Sequence, residues 1–199
     1  MTNATNDTHT RDGFWSRVRL ALRGQNAAPV TSVPRTGGFE AALTSGWQTA
    51  AAASAPLTLM LIEIDELADY FSAYGAEAAD ACFAEVQETL AAVLPRADDA
   101  CVAVSPGQFG VVLPELPPHV AQRVAAAMAQ AVRRLGRPHK ASHAGTVTVS
   151  MGLAVVVPED TLDGRLVDSA QQALRRAQRR GIGRLEVVDL RPRQERQAA

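Results

Sequence analysis

The run from Leu57 to Ile64 limits the fold of this chain more than any other feature, because it is apolar almost without interruption. A run of this length without alternating polar residues is typical of a strand that is buried on both faces. Phe39, Leu43 and Trp47 precede it at four-residue spacing, which predicts a helix with one buried face. A buried strand beside such a helix favours a domain that mixes both kinds of element.

The rest of the chain alternates helical and strand patterns. Helices are predicted from Ala76 to Leu94, from His119 to Leu135 and from Leu166 to Arg180, with Gly181 as the C-cap of the last helix. Strands are predicted over residues 100–104, 109–113, 146–157 and 184–188, and turn residues 105–108 join the first two in a hairpin. The order α-β-α-β-β-α-β-α-β predicts an α/β (α+β) fold with a mixed central sheet flanked by helices.

Length and composition are those of one globular domain with short tails. The chain has 199 residues, of which 47% are hydrophobic and 21% charged, and its formal net charge is −1. The balanced charge argues against a nucleic-acid partner. Two cysteines without a Cys/His cluster argue against a disulfide framework and a zinc site. Because this cysteine usage suits a reducing compartment, we expect a cytoplasmic protein. No apolar run reaches roughly 18 residues, so we expect no transmembrane helix.

Both ends of the chain are predicted to lie outside the folded domain. Residues 1–29 are expected to form a basic, disordered tail, residues 30–190 the domain, and residues 191–199 a second disordered tail. The segment from Phe14 to Leu22 has apolar side chains on one side and arginines mostly opposite. It is interpreted either as a weakly helical tail or as a helix that contacts a membrane surface or a partner protein.

Five short strings, taken in order, resemble the GGDEF domain, the fold of diguanylate cyclases, which is related to nucleotidyl cyclases and polymerase palms. They run from Val30 to Phe39, from Glu63 to Ala68, from Tyr74 to Asp80, from Val147 to Gly152 and from Ala173 to Arg184. The fourth string, Val-Thr-Val-Ser-Met-Gly, is similar to the strand that reads VTVSIG in the family. The resemblance implies a palm-like arrangement of the mixed sheet over residues 30–190.

The family signature, GG(D/E)EF, is replaced here by Ser105-Pro106-Gly107-Gln108-Phe109, which keeps only the Phe. In the family, an acid at the end of the first strand and an acid at the third signature position hold metal ions that join two GTP molecules. Glu63 and Gly107 stand at these positions. Divalent ions prefer carboxylate ligands, and Gly107 has none. The resemblance therefore implies that this chain has no catalytic residue, no metal site and no cofactor.

Other family positions are altered as well. The two phosphate-contacting lysines and the guanine-reading Asn of the family have other residues in their places: Ala68, Gln178 and Phe71. Asp80 alone remains of the guanine-reading pair. Glu63, Asp65 and Asp80 are therefore expected to be remnants of an active site. For Glu63 and Asp65, the alternative is a strand-end pair that faces solvent or caps the next helix.

One binding element of the family keeps its place. The product-binding site of the family is an Arg-x-x-Asp five residues before the signature, and Arg96-Ala97-Asp98-Asp99 stands there. An Arg can donate two hydrogen bonds to O6 and N7 of guanine, and an Asp can accept from N1–H and the 2-amino group. Arg96 and Asp99 are thus the predicted cyclic di-GMP ligands, with Asp98 as a neighbouring candidate. The alternative is an exposed ion pair in a loop. A second copy of the pattern, from Arg165 to Asp168, is assigned no role.

These observations predict a catalytically inactive signalling protein of bacteria that binds cyclic di-GMP as a regulatory ligand and passes the signal to a protein partner. The alternative is a nucleotide-free pseudoenzyme scaffold for protein contacts in a signalling or secretion pathway. The scaffold would use the domain surface and the segment from Phe14 to Leu22. A homodimer stays open under either interpretation, because a stacked dinucleotide often bridges two copies in this family.

Overall fold

One five-stranded mixed sheet organises the part of the chain that the computed structural model describes, which is residues 37–159, 162 and 164–192. Its strands are β1 (Leu57–Ile64), β2 (Ala100–Ser105), β3 (Gln108–Pro114), β4 (Val149–Val156) and β5 (Leu185–Asp189). The helices in these residues are α1 (Gly37–Ala52), α2 (Leu67–Tyr74), α3 (Ala76–Ala91), α4 (Pro118–Arg134) and α5 (Arg165–Arg179). The strand order is β2-β3-β1-β4-β5; β4 and β5 are parallel, and the other neighbours are antiparallel. The predicted mixed sheet flanked by helices is confirmed.

The central strand β1 is buried on both faces, as its apolar run predicts. Because side chains alternate along a strand, its residues divide between two hydrophobic clusters. Met60, Ile62 and Ile64 belong to the cluster that α2, α3 and α4 cover. Leu57, Leu59 and Leu61 belong to the cluster that α1 and α5 cover. The end of β1, where the polar residues begin, therefore lies between two layers of helices.

Helix α2 is an element that the sequence patterns do not predict. Glu66 precedes it in the left-handed region, at φ 52°, and its side chain does not cap the helix. Leu67, Tyr70, Phe71 and Tyr74 recur at helical spacing, but over eight residues this repeat is shorter than the window of roughly 11 residues in which periodicity identifies a helix. Strand β4 is also shorter than predicted: it begins at Val149, while Thr146 forms an isolated bridge with Pro138.

Gly152 allows α5 to pack directly on β4. A Cβ atom at this position would overlap the backbone of Leu174 and Ala170 in α5. Glycine weakens a strand, and its presence here is explained by this close approach of the helix. The packing positions the turn that follows α5, where the amide of Gly183 donates to Asp65 after the end of β1.

Several predicted segments lie outside the described residues: the segment from Phe14 to Leu22, residues 30–36 and residues 193–199. Arg191, which the sequence assigns to the C-terminal tail, is instead buried, and its Nη2 lies 2.9 Å from Oδ2 of Asp189. Arg191 therefore packs against the described part of the chain. Within the described ranges, no helix is long and apolar enough to cross a bilayer.

Candidate functional site

The turn between β2 and β3 carries the residues that replace the family signature. Pro106 and Gly107 form a two-residue turn. Gly107 has a φ of 82°, in the left-handed region, and its carbonyl accepts a hydrogen bond from the amide of Ile64 at 2.9 Å. A Cβ atom on Gly107 would overlap the side chain of Leu67. A carboxylate-bearing residue at this position would therefore need both a strained backbone and a displaced Leu67.

Glu63, the strand-end acid, lies directly opposite Gln108 of β3. The side-chain amide of Gln108 donates to Oε2 of Glu63 at 3.3 Å and to Oε1 of Gln171 in α5 at 3.4 Å. An amide nitrogen carries two hydrogens, so it can serve both acceptors. Gln108 is only 9% exposed, so this amide bridge is an internal contact. No sequence pattern indicates Gln171, because polar residues on helices usually face solvent.

Asp65 is buried and fully engaged by the protein. Its carboxylate accepts hydrogen bonds from Oγ1 of Thr148 at 2.7 Å, from Oγ of Ser150 at 2.6 Å and from the amide of Gly183 at 2.8 Å. The interpretation that Asp65 faces solvent or caps the next helix is wrong, because these donors draw the side chain inward. Asp65 joins the end of β1 to β4 and to the turn after α5. The sequence patterns do not indicate that Thr148, Ser150 and Gly183 are the partners of Asp65.

The residues at this end of the sheet do not fit a divalent cation. Such ions need several oxygen ligands that are not already engaged. The oxygens of Asp65 accept internal hydrogen bonds, Glu63 accepts from an amide, and Gly107 contributes no side chain. In the portion of the chain that the structure describes, no group of three or more His, Cys, Asp and Glu side chains could hold a metal ion. Within the described residues, this end of the sheet therefore offers a metal ion few carboxylate oxygens that are not already engaged.

The positions that would read guanine in the family lie on α2 and α3. Phe71 of α2 is half-buried and offers an aromatic ring, and Ala68 on the same helix is exposed. Asp80 of α3 is exposed, and partial burial raises the pKa of its carboxyl above the ordinary value. Gln178 is exposed near the end of α5. A lone carboxylate without an amide partner and without cationic neighbours is a weak reader of a nucleotide.

The Arg-x-x-Asp residues lie in the turn between α3 and β2. The backbone amide of Arg96 donates to Oδ2 of Asp99 at 3.0 Å, and Nη2 of Arg96 donates to Oδ1 of Asp99 at 3.1 Å. The side chain of Asp99 is fully buried, whereas that of Arg96 is 35% exposed. Asp98 is exposed. The turn therefore brings Arg96 and Asp99 together, although only the Arg end of the pair reaches the surface.

Arg96 makes a second contact that its position in the sequence does not indicate. Its Nη2 also donates to the carbonyl oxygen of Pro114, the last residue of β3. Its Nε is buried and has no hydrogen-bond partner. The guanidinium thus connects the turn before β2 to the end of β3, 18 residues away.

The second copy of the Arg-x-x-Asp pattern borders a cavity. Arg165 and Asp168 lie in the first turns of α5 and line a space of about 490 Å³, together with Trp47 and Arg191. None of the predicted site residues lines this cavity. Acidic and basic side chains both border it, so its charge does not favour a ligand of one sign.

Comparison with solved structures identifies the same fold in three bacterial proteins. The GGDEF domain of YfiN (or TpbB) from Pseudomonas aeruginosa is 21% identical, with a TM-score of 0.68, and the match covers 81% of this chain and 99% of that one. The GGDEF domain of DgcB from Caulobacter crescentus, solved in complex with c-di-GMP, is 18% identical, with a TM-score of 0.66 and coverages of 82% and 97%. The diguanylate cyclase SiaD from Pseudomonas aeruginosa, solved in complex with its activator SiaC, is 19% identical, with a TM-score of 0.66 and coverages of 91% and 69%.

These identities are low, so the structural likeness shows the fold alone. Among curated proteins, none matches the chain. The sequence model of a family described as "Diguanylate cyclase, GGDEF domain" matches residues 27–184. This match spans most of the 199 residues and includes every strand except the last. The protein therefore belongs to the GGDEF domain family.

Proposed function

We propose that this protein is a cyclic di-GMP receptor that does not synthesise the dinucleotide. The observation that carries the proposal is the pairing of Arg96 with Asp99 on a single turn, with the Arg96 side chain 35% exposed. The pair stands at the position where the family binds its product. Asp98, exposed beside the pair, offers a second carboxylate to the same ligand.

The chemistry of guanine suits these two side chains. The O6 and N7 atoms of the base are neighbouring acceptors, and a planar guanidinium can donate to both. The N1–H and 2-amino groups are donors that a carboxylate can accept. A cyclic dinucleotide also carries two phosphates, which favour a site that contains an arginine.

Two structures of related domains support a dinucleotide ligand. The GGDEF domain of DgcB was solved with c-di-GMP bound. Another microbial GGDEF domain was described in a novel interaction mode with the same dinucleotide. Because these domains share the fold of this chain, we propose that the same dinucleotide binds at the Arg96 turn.

The absence of synthesis is proposed from the hairpin end of the sheet. Cyclisation of two GTP molecules needs metal ions to neutralise and position the phosphates. Gly107 supplies no carboxylate, and the side-chain amide of Gln108 donates a hydrogen bond to the carboxylate of Glu63. Incubation with GTP and Mg²⁺ or Mn²⁺ should therefore yield no cyclic di-GMP by chromatography. Product above a no-protein blank would overturn this part of the proposal.

Calorimetric titration with cyclic di-GMP tests the receptor function. A hydrogen bond to a charged group contributes about 1.5–3 kcal/mol, and about 1.4 kcal/mol is one decade in Kd, so Arg96→Ala should weaken binding at least tenfold. Arg96→Lys should fail nearly as badly, because an ammonium group lacks the planar fork. Arg165→Ala, in the second copy of the pattern, is the matched control and should bind as the wild type does. Equal affinities of wild type and Arg96→Ala would end the receptor proposal.

The second candidate is a nucleotide-free scaffold for protein contacts. The observation that favours it is the complete burial of the Asp99 side chain, which is engaged by Arg96 within the turn. SiaD, a diguanylate cyclase with this fold, was solved in complex with an activator protein. A wild type that does not bind cyclic di-GMP would favour this function. Light scattering with and without the dinucleotide would test the homodimer.

A further inference from the structure

The Arg96 side chain is already engaged within the protein. Its Nη2 donates to Oδ1 of Asp99 and to the carbonyl of Pro114, which uses both hydrogens of that nitrogen. The Nε–H group is buried. A guanidinium grips the two acceptors of guanine with two adjacent N–H groups. A guanidinium can donate side by side through Nη1 and Nη2 or through Nε and Nη2. Neither pair is available here, because both hydrogens of Nη2 already donate within the protein and Nε is buried.

The Asp99 side chain is equally unavailable. Its two oxygens accept from the backbone amide and from the guanidinium of Arg96, and none of the side chain is exposed. A guanine can therefore contact both residues only after Arg96 has moved. That movement breaks the bond between Arg96 and Pro114.

The segment on the other side of that bond is the turn from β3 to α4. Pro114 ends β3, and Glu115 follows it at φ 56°, a conformation that residues with a Cβ atom adopt uncommonly. Leu116 is buried, Pro117 follows it at the N-cap, and α4 begins at Pro118. The first amides that α4 protects, those of Val120 and Ala121, donate to the carbonyl of Pro117. Breaking the hydrogen bond at Pro114 therefore acts on a constrained turn next to the start of a helix.

We propose that Arg96, Asp99 and Pro114 form a latch that guanine must open, so that ligand binding is coupled to the turn from β3 to α4. This inference rests on the proposed receptor function and names how that site is regulated. The closed latch lowers the apparent affinity, because only the fraction of molecules with Arg96 released can bind. Opening the latch removes a restraint on residues 114–121 and makes this segment more mobile. A partner protein that contacts the segment can respond to this change.

Hydrogen–deuterium exchange of the full chain tests the latch. In wild type saturated with cyclic di-GMP, the protected amides of this segment, those of Val120 and Ala121, should exchange about three to ten times faster, as expected from the removal of one hydrogen bond. Arg96→Ala without the dinucleotide should show the same acceleration. Arg96→Lys, which keeps a positive charge beside Asp99, provides a second variant if Arg96→Ala folds poorly. Arg165→Ala and a peptide from β4 serve as unaffected controls.

The outcomes separate the latch from the receptor function. Binding by calorimetry together with faster exchange over residues 115–121 supports both. Binding with unchanged or slower exchange there overturns the latch and leaves the receptor function standing. Unchanged exchange in Arg96→Ala and Arg96→Lys also overturns the latch, because Arg96 would then not restrain the turn. Failure of the wild type to bind overturns the receptor function, and the latch with it.

Discussion

The variant Asp65→Ala separates an internal structural role of this carboxylate from a metal-binding role. The position of Asp65 just after β1 suggests an active-site remnant, but its oxygens accept three short hydrogen bonds from Thr148, Ser150 and Gly183. Removing the carboxylate leaves these donors without their acceptor in a buried place. The variant should therefore weaken the fold. Asp80, another of the three acids predicted to be active-site remnants, is exposed and gives a matched control.

The expected size of the effect follows from the contacts. A hydrogen bond to a charged group contributes about 1.5–3 kcal/mol, and bonds in one network are not additive, so Asp65→Ala should cost roughly 3–5 kcal/mol. A domain of this size loses about 2–4 °C in Tm per kcal/mol, which predicts a drop of roughly 6–20 °C. Asp80→Ala should stay within about 0.5 kcal/mol of wild type. The pKa of Asp80 is raised by desolvation, which means that folding disfavours its charged form.

Equilibrium unfolding in urea, followed by far-ultraviolet circular dichroism, measures both variants. The slopes of the transitions must agree with wild type for the free energies of unfolding to be compared. Asp65→Asn should fall between Asp65→Ala and wild type, because the amide keeps one acceptor oxygen. A loss below about 1 kcal/mol in Asp65→Ala, or equal losses in Asp65→Ala and Asp80→Ala, would refute the internal role.

Other expected outcomes concern glycine and cysteine positions. Gly107→Glu should restore no synthesis of cyclic di-GMP from GTP and should lower the Tm, because φ is 82° and the new Cβ would overlap Leu67. Gly152→Ala should lower the free energy of unfolding by about 3 kcal/mol or more, measured in urea, since its methyl group would overlap the backbone of α5. Burial raises the pKa of Cys82 to about 11 and that of Cys101 to about 12. At about pH 8, iodoacetamide should therefore modify both thiols far more slowly in the native protein than in urea, which mass spectrometry can follow.

The sequence predicts those parts of the fold that local periodicity controls. The apolar run of β1 and the four-residue apolar repeat of α1 each reflect the burial of one element, so each can be recognised from its own segment of sequence. Helix α2 is harder to predict, because its apolar repeat spans only eight residues and it starts after a left-handed Glu66 whose side chain does not cap it. Gly152 interrupts a predicted strand for a reason that lies in α5, outside the strand itself.

In the candidate site, too, contacts between residues close in sequence can be predicted, and contacts between distant residues cannot. Arg96 and Asp99 are three residues apart, so their pairing on one turn follows from spacing. The contact of Arg96 with Pro114 spans 18 residues, and that of Gln108 with Gln171 spans 63. The partners of Asp65 lie 83 to 118 residues away. Contacts between side chains at such separations depend on the assembled sheet, and no sequence motif or hydrophobic periodicity predicts them.

The sheet also offers a physical basis for the proposed function, in which the chain binds the dinucleotide without making it. The altered signature lies at the start of β3, and the Arg96 turn contacts the end of β3 at Pro114. Seven residues of strand separate these points by about 20 Å at roughly 3.3 Å per residue. Perturbations more than about 10 Å apart with no shared partners act independently. A residue without a carboxylate at position 107 is therefore compatible with the contacts of Arg96 and Asp99, and the proposed binding at one end of β3 would not require chemistry at the other.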